Sequence, residues 1–143
     1  MKKIKFTLLL IAPFNVHTAF LVSRYLQEQQ EAMRKYDRRI RKIEELYERH
    51  SSLCHAIRND HHAQIVEKIK DSQKRGTLHL SNLERRTALH EAALAKNMFA
   101  LHQLLQAGID SSVEDMYGMT ALDWAKRSGI GVSLLQKYHK PRE

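Results

Sequence analysis

One stretch of this chain is a near copy of another. TALHEAALAKNMFALHQLLQAGID, residues 87–110, is followed by TALDWAKRSGIGVSLLQ, residues 120–136, and Thr87 and Thr120 stand 33 residues apart. A fixed period in the low thirties marks a solenoid, because each unit is one supersecondary piece that cannot bury its apolar face alone. The residues inside the period say what the piece is. Thr87 and Thr120 are N-cap types placed directly before apolar runs, where a hydroxyl can accept from an orphan helix N–H. Ala92 and Ala93 are small enough for two antiparallel helices to approach closely, and Leu101, Leu104 and Leu105 keep the i, i+3, i+4 spacing of a second helix's apolar face. Gly108 suits the left-handed end of that helix, and Gly118 the turn before the next unit.

A weaker third copy precedes these two. Ser51, Ser52, Leu53, Cys54, His55, Ala56 and Ile57 align with the start of the second unit, and Ile65, Val66 and Ile69 with its second helix. Leu53 and Leu89 are 36 residues apart, so about three residues are added, and residues 72–82 are the expected place for them. Arg85 occupies the position that Gly118 holds in the next unit, so the hairpin between the first two units is expected to be irregular.

The pattern resembles the ankyrin repeat, which runs roughly D-x-x-G-x-T-P-L-H-x-A-A, then a second helix, then L-L-x-x-G-A-D. Asn82, Thr87, Leu89, His90, Ala92, Ala93, Leu101, Leu104, Leu105, Gly108 and Asp110 fall in register. Asp115, Gly118, Thr120, Leu122, Ala125, Leu134 and Leu135 do so one period later. The match covers roughly residues 51–139. It implies an all-α, ankyrin-like helix-pair solenoid of three units, the first degenerate, preceded by a long N-terminal helix. His90 becomes the family's scaffold histidine, at the third position of a Thr-capped helix, where it can bond back towards the cap. These residues build a scaffold and are not a site.

The three regions expected are an apolar N-terminal segment over 1–22, a charged amphipathic helix over 23–50 and the repeat domain over 51–143. Residues 6–22 are an apolar run behind Lys2, Lys3 and Lys5. Three readings stand: a membrane anchor at the short end of spanning length, a cleaved export signal, or a helix packed in the core or at an interface. In the anchored reading, the basic residues beyond Val22 favour a membrane-associated protein with a cytoplasmic repeat domain. The others correspond to an exported or a soluble cytoplasmic protein. From Ser23 to His50 there is no Gly or Pro, and Leu26, Met33, Ile40 and Tyr47 recur every seven residues, with Gln29, Tyr36, Ile43 and His50 three further on. Such a heptad seam can pack back over the first repeat, which is the expectation, or self-associate weakly through residues 26–50.

The 143 residues carry a formal charge of +8, divided as +3 over 1–22, +2 over 23–50 and +3 over 51–143. So even a spread lacks the basic stripe that nucleic-acid binding wants, and no nucleic-acid partner is expected; a basic nucleic-acid-associated protein is one alternative and a soluble coiled-coil structural protein another. The single cysteine, Cys54, excludes an intramolecular disulfide and reads as a small buried thiol. His55, His61, His62 and Asp60 lie close in sequence, but their spacing does not require convergence, and no metal site is expected. With five glycines and no phosphate loop, nucleophile elbow or paired-carboxylate motif, neither cofactor nor catalytic residues are expected.

What remains is surface, and the expected function is non-enzymatic protein recognition, with a partner the chain does not name and with the N-terminal segment as a membrane tether. The resemblance implies contact through hairpin tips and the exposed side of first helices. Position by position these are Leu83, Glu84 and Arg86 in the second unit, and Met116, Tyr117, Met119, Trp124 and Arg127 in the third. Leu94 and Ala95 are further such positions in the second unit, and the first unit offers His55, Arg58 and Asn59. The Met-aromatic cluster is the expected hot spot. Its alternative is structural, with Trp124 or Met119 tucked against the last repeat as a hydrophobic cap.

Overall fold

A computed structural model describes residues 16–138. The lysines at the start of the chain and the first ten residues of the 6–22 run lie outside the described residues. Those described form six helices: α1 (Val16–Arg58), α2 (His62–Arg75), α3 (Ala88–Leu94), α4 (Met98–Gln106), α5 (Ala121–Ser128) and α6 (Val132–Tyr138). Contacts divide the chain into two units, one ending at Arg41 and the other starting at Lys42.

The described part of the first unit is helix, and apart from Ala19 its residues are exposed. Leu26, Met33 and Ile40 are among them, as is Tyr47 further along α1. Helix α1 passes through Ser51 unbroken, with no Gly or Pro from Ser23 to Arg58. No helix among the described residues is long and apolar enough to cross a membrane.

The second unit is the solenoid. Its helices are only seven to nine residues long in the second and third repeats, too short to persist alone. Caps and packing hold them. Thr120 Oγ1 accepts from the Asp123 N–H at 3.3 Å and donates to Asp123 Oδ2 at 2.7 Å, while that carboxylate accepts from the Thr120 N–H at 3.0 Å. His90 plays the same part for Thr87: its Nδ1 accepts from the Thr87 N–H at 3.2 Å and its Nε2 lies 3.1 Å from the Met119 carbonyl. That pairing of acceptor and donor is the neutral Nε2–H tautomer. Helix α3 packs on α4 within its repeat and on α5 in the next, and α4 packs on α2 and α6. Leu89, Leu101, Leu104 and Leu135 are completely buried between these layers, as are Ala92 and Ala93.

Two details of the first repeat differ from expectation. The residues added between units lie in a helix rather than in the loop: α2 has 14 residues against 9 in α4, roughly one more turn. Gly76, left-handed at φ 66°, then ends α2 as Gly108 ends α4, with Thr77 N–H bonding back to the Ser72 carbonyl as Ile109 N–H does to that of Leu104. The hairpin is also regular. Asn82 N–H bonds to the Arg86 carbonyl at 3.0 Å where Asp115 N–H bonds to that of Met119 at 2.9 Å. Arg85 adopts φ 59° where Gly118 has 72°. The turn's hydrogen bonds hold a non-glycine residue left-handed, at a cost the remainder of the hairpin offsets.

Asn97 joins the first two repeats. It is buried, caps α4 by accepting from the Ala100 N–H at 2.8 Å, and donates through Nδ2 to the Ile57 carbonyl and to Asp60 Oδ1, both at 2.9 Å. Cys54 is buried, 3.4 Å from His50 Nε2, and burial, with the Glu91 charge nearby, pushes its thiol up to about 12. A thiol so shielded is inert.

Candidate protein-binding surface

The two hairpins are built alike from one side chain each. Asn82 Oδ1 accepts from the Glu84 and Arg86 N–H groups at 2.9 Å, and Asp115 Oδ1 accepts from those of Tyr117 at 2.9 Å and Met119 at 3.0 Å. Met116 N–H then donates to the Glu84 carbonyl at 2.9 Å, which fastens one hairpin to the next. With their backbones held this way, the tips lift three large side chains into solvent. Leu83 is 89% exposed, Met116 56% and Tyr117 61%. Leu83 and Met116 occupy the same position one repeat apart.

Below the tips lies a charged and aromatic layer. Asp115, 2% exposed, accepts from the Trp124 indole N–H at 2.8 Å through Oδ2, and the Arg86 guanidinium approaches the same oxygen at 3.6 Å. That second distance is an ion-pair contact, too long for a hydrogen bond, so the buried Arg86 Nε has no hydrogen-bond partner. Arg86 also pairs with Glu84, and its guanidinium carbon lies 5.0 Å from the Trp124 ring centre and 5.8 Å from that of Tyr117. The Arg127 guanidinium carbon lies 5.5 Å from the Trp124 ring centre. Both arrangements are cation–π contacts. Burial alone would raise the Asp115 carboxyl, but hydrogen bonds from Met119 N–H, Trp124 and Tyr117 N–H outweigh it and hold the group below the ordinary carboxylate range.

Of the eight residues singled out by sequence, Leu83, Met116, Tyr117 and Arg127 are exposed. Glu84, Arg86, Met119 and Trp124 are half-buried. Trp124 reaches towards Arg86 of the preceding hairpin rather than serving only as a cap on the last repeat. Leu94 and Ala95 are half-buried, and Arg58 reaches Glu91 at 3.4 Å. The histidines do not converge: His55 bonds Asn59, whereas His62 bonds Asp60 at 3.0 Å and stacks on Phe99 at 4.1 Å. Among the described residues no group of three His, Cys, Asp or Glu could hold a metal ion.

Sequence reasoning had Asp115 and Asn82 in register without seeing that they carry the hairpins. The signal was available, since two short acceptor side chains 33 residues apart at turn starts are what such a turn needs. Asn97 went unnoticed, though an Asn directly before Met98 and Phe99 is an N-cap signature.

A family model described as ankyrin repeats (3 copies) matches residues 53–141. The chain therefore belongs to the ankyrin-repeat family, whose members are generally non-enzymatic scaffolds for protein–protein interaction. Among curated proteins, none matches it.

Proposed function

We propose that this chain is a non-enzymatic recognition module that holds a protein partner on the tips of its two hairpins, with Leu83, Met116 and Tyr117 as the contact residues. The observation that carries this reading is three large apolar side chains standing exposed on backbones pinned by Asn82, Asp115 and the Met116–Glu84 link. A rigid platform presents contact area with little ordering cost on binding, and Met and Tyr suit the anchoring role. Arg86, Asp115 and Trp124 act as the support beneath, positioning the Tyr117 ring. Arg127 lies at the rim, where an exposed charge contributes about 0–1 kcal/mol.

The test uses a partner isolated with the unaltered chain. Replacing Leu83, Met116 and Tyr117 together by Ser should abolish binding and leave the melting temperature unchanged, because none of the three is buried. Retained affinity with an unchanged melt would move recognition to another face.

A further inference from the structure

Helix α1 carries a second surface, independent of the hairpin tips. Numbered in heptads with Leu26 at position a, its a positions are Ala19, Leu26, Met33, Ile40 and Tyr47, and its d positions are Val22, Gln29, Tyr36 and Ile43. Four heptads thus carry one apolar line. Val22, Leu26, Met33, Tyr36, Ile40 and Ile43 along it are all exposed. A stripe of this length, at period 3.5 with charged residues on the outer faces, has the form of half a coiled coil.

The flanking charges say what the other half is. Position e holds Ser23, Gln30, Asp37 and Glu44, with no base, while position g holds Tyr25, Ala32, Arg39 and Leu46, with no acid. In a parallel, in-register pair the g residue of one helix meets the e residue five positions on in its partner. That sets Arg39 against Glu44 twice, once on each side of the seam. Antiparallel pairing sets e against e and g against g, and offers no opposite-charge pair in any register. Arg39, Asp37 and Glu44 are exposed, and among the described residues none of them forms an ion pair within the chain.

The number of strands follows from the polar members. The hydroxyls of Tyr36 and Tyr47 and the amide of Gln29 need water or a partner. A two-stranded seam leaves the ends of long a and d side chains in reach of solvent, whereas the closed centre of three or four strands would bury them. We infer that α1 pairs with a second copy of this chain as a parallel two-stranded coiled coil over residues 19–47. Each dimer would then carry two repeat domains and two sets of hairpin tips.

Sedimentation equilibrium of the full chain, from low to high micromolar, tests this directly. The mass should rise to that of two chains. Glu44→Lys, an exposed change, should weaken the dimer roughly three- to tenfold, and adding Arg39→Glu to it should restore the affinity. Leu26→Cys should cross-link to itself on mild oxidation while the unaltered chain does not, because the thiol of Cys54 is buried and protonated. A monomer at every concentration, a mass of three or more chains, an unweakened Glu44→Lys dimer, or failure of Leu26→Cys to cross-link would each overturn the inference.

Discussion

The Trp124 indole N–H donates to Asp115 Oδ2 across 2.8 Å, tying the first helix of the last repeat to the base of its own hairpin. Asp115 thereby serves four groups at once: the Tyr117 and Met119 N–H donors, the indole, and the Arg86 guanidinium from the hairpin before. One buried carboxylate sets the shape of the hairpin and the seat of its aromatic side chains.

Removing that carboxylate should be costly. Asp115→Ala leaves Arg86 with Glu84 as its one remaining ion-pair partner and takes the acceptor from three part-buried donors, and we expect a loss of about 2–4 kcal/mol in unfolding free energy. Asp115→Asn should cost distinctly less, since Asn82 performs the same turn with an amide. Urea melts of the two variants compare them, and equal losses would show that the charge and not the turn is what matters.

Acid should weaken the repeats before any carboxylate titrates. Burial, the largest influence, lowers the pKa of His90, and the same is true of His50. The folded state therefore binds fewer protons than the unfolded state between the two pKa values. Stability is complete above about pH 6.5, declines as pH falls below it, and levels off below the folded pKa. A proton on His90 Nδ1 would also face the Thr87 N–H, donor against donor. Urea midpoints should fall from pH 7 to pH 5, and His90→Gln, which keeps an acceptor at the same helix position, should flatten part of that slope. An unchanged slope would mean that the imidazole is not the group responsible.

Arg85 offers a stabilising change. Its φ of 59° costs a non-glycine residue about 1–2 kcal/mol, partly offset by glycine's greater freedom in the unfolded chain. Arg85→Gly should therefore raise stability by about 0.5–1 kcal/mol, readable as a higher urea midpoint at constant slope.

The core makes a blunter prediction. Leu89→Ala or Leu104→Ala should cost ~2–5 kcal/mol, enough to unfold most of a three-repeat array. A melting temperature lowered by only a degree or two would contradict the buried placement of these leucines.

The parts legible in sequence are those whose cause is local. The capping role of Thr87 and Thr120, the left-handed Gly108 and the spacing of Leu101, Leu104 and Leu105 all follow from a residue and its near neighbours. Arg85 misled because the turn that tolerates it is held by Asn82 hydrogen bonds, which glycine counting does not see. Loss of the pattern between Ile69 and Asn82 points the added residues to a loop, yet a helix absorbs about one further turn with little change of face. Trp124 could not be placed by its own repeat, since Arg86, which covers it, belongs to the hairpin of the repeat before. For α1 the heptad seam is plain in the sequence, because Leu26, Met33 and Ile40 recur at one position of a seven-residue period.

The central claim is that recognition takes place on the hairpin tips, and site-specific photocrosslinking tests it most directly. A photoreactive phenylalanine analogue at Tyr117 should capture a discrete protein from native extract. The same group at exposed Gln106, on the second helix of the same solenoid, should capture none. Adding excess unaltered chain should suppress the Tyr117 product, and excess chain carrying Ser at Leu83, Met116 and Tyr117 should not. Capture from Gln106 with none from Tyr117 would contradict the account.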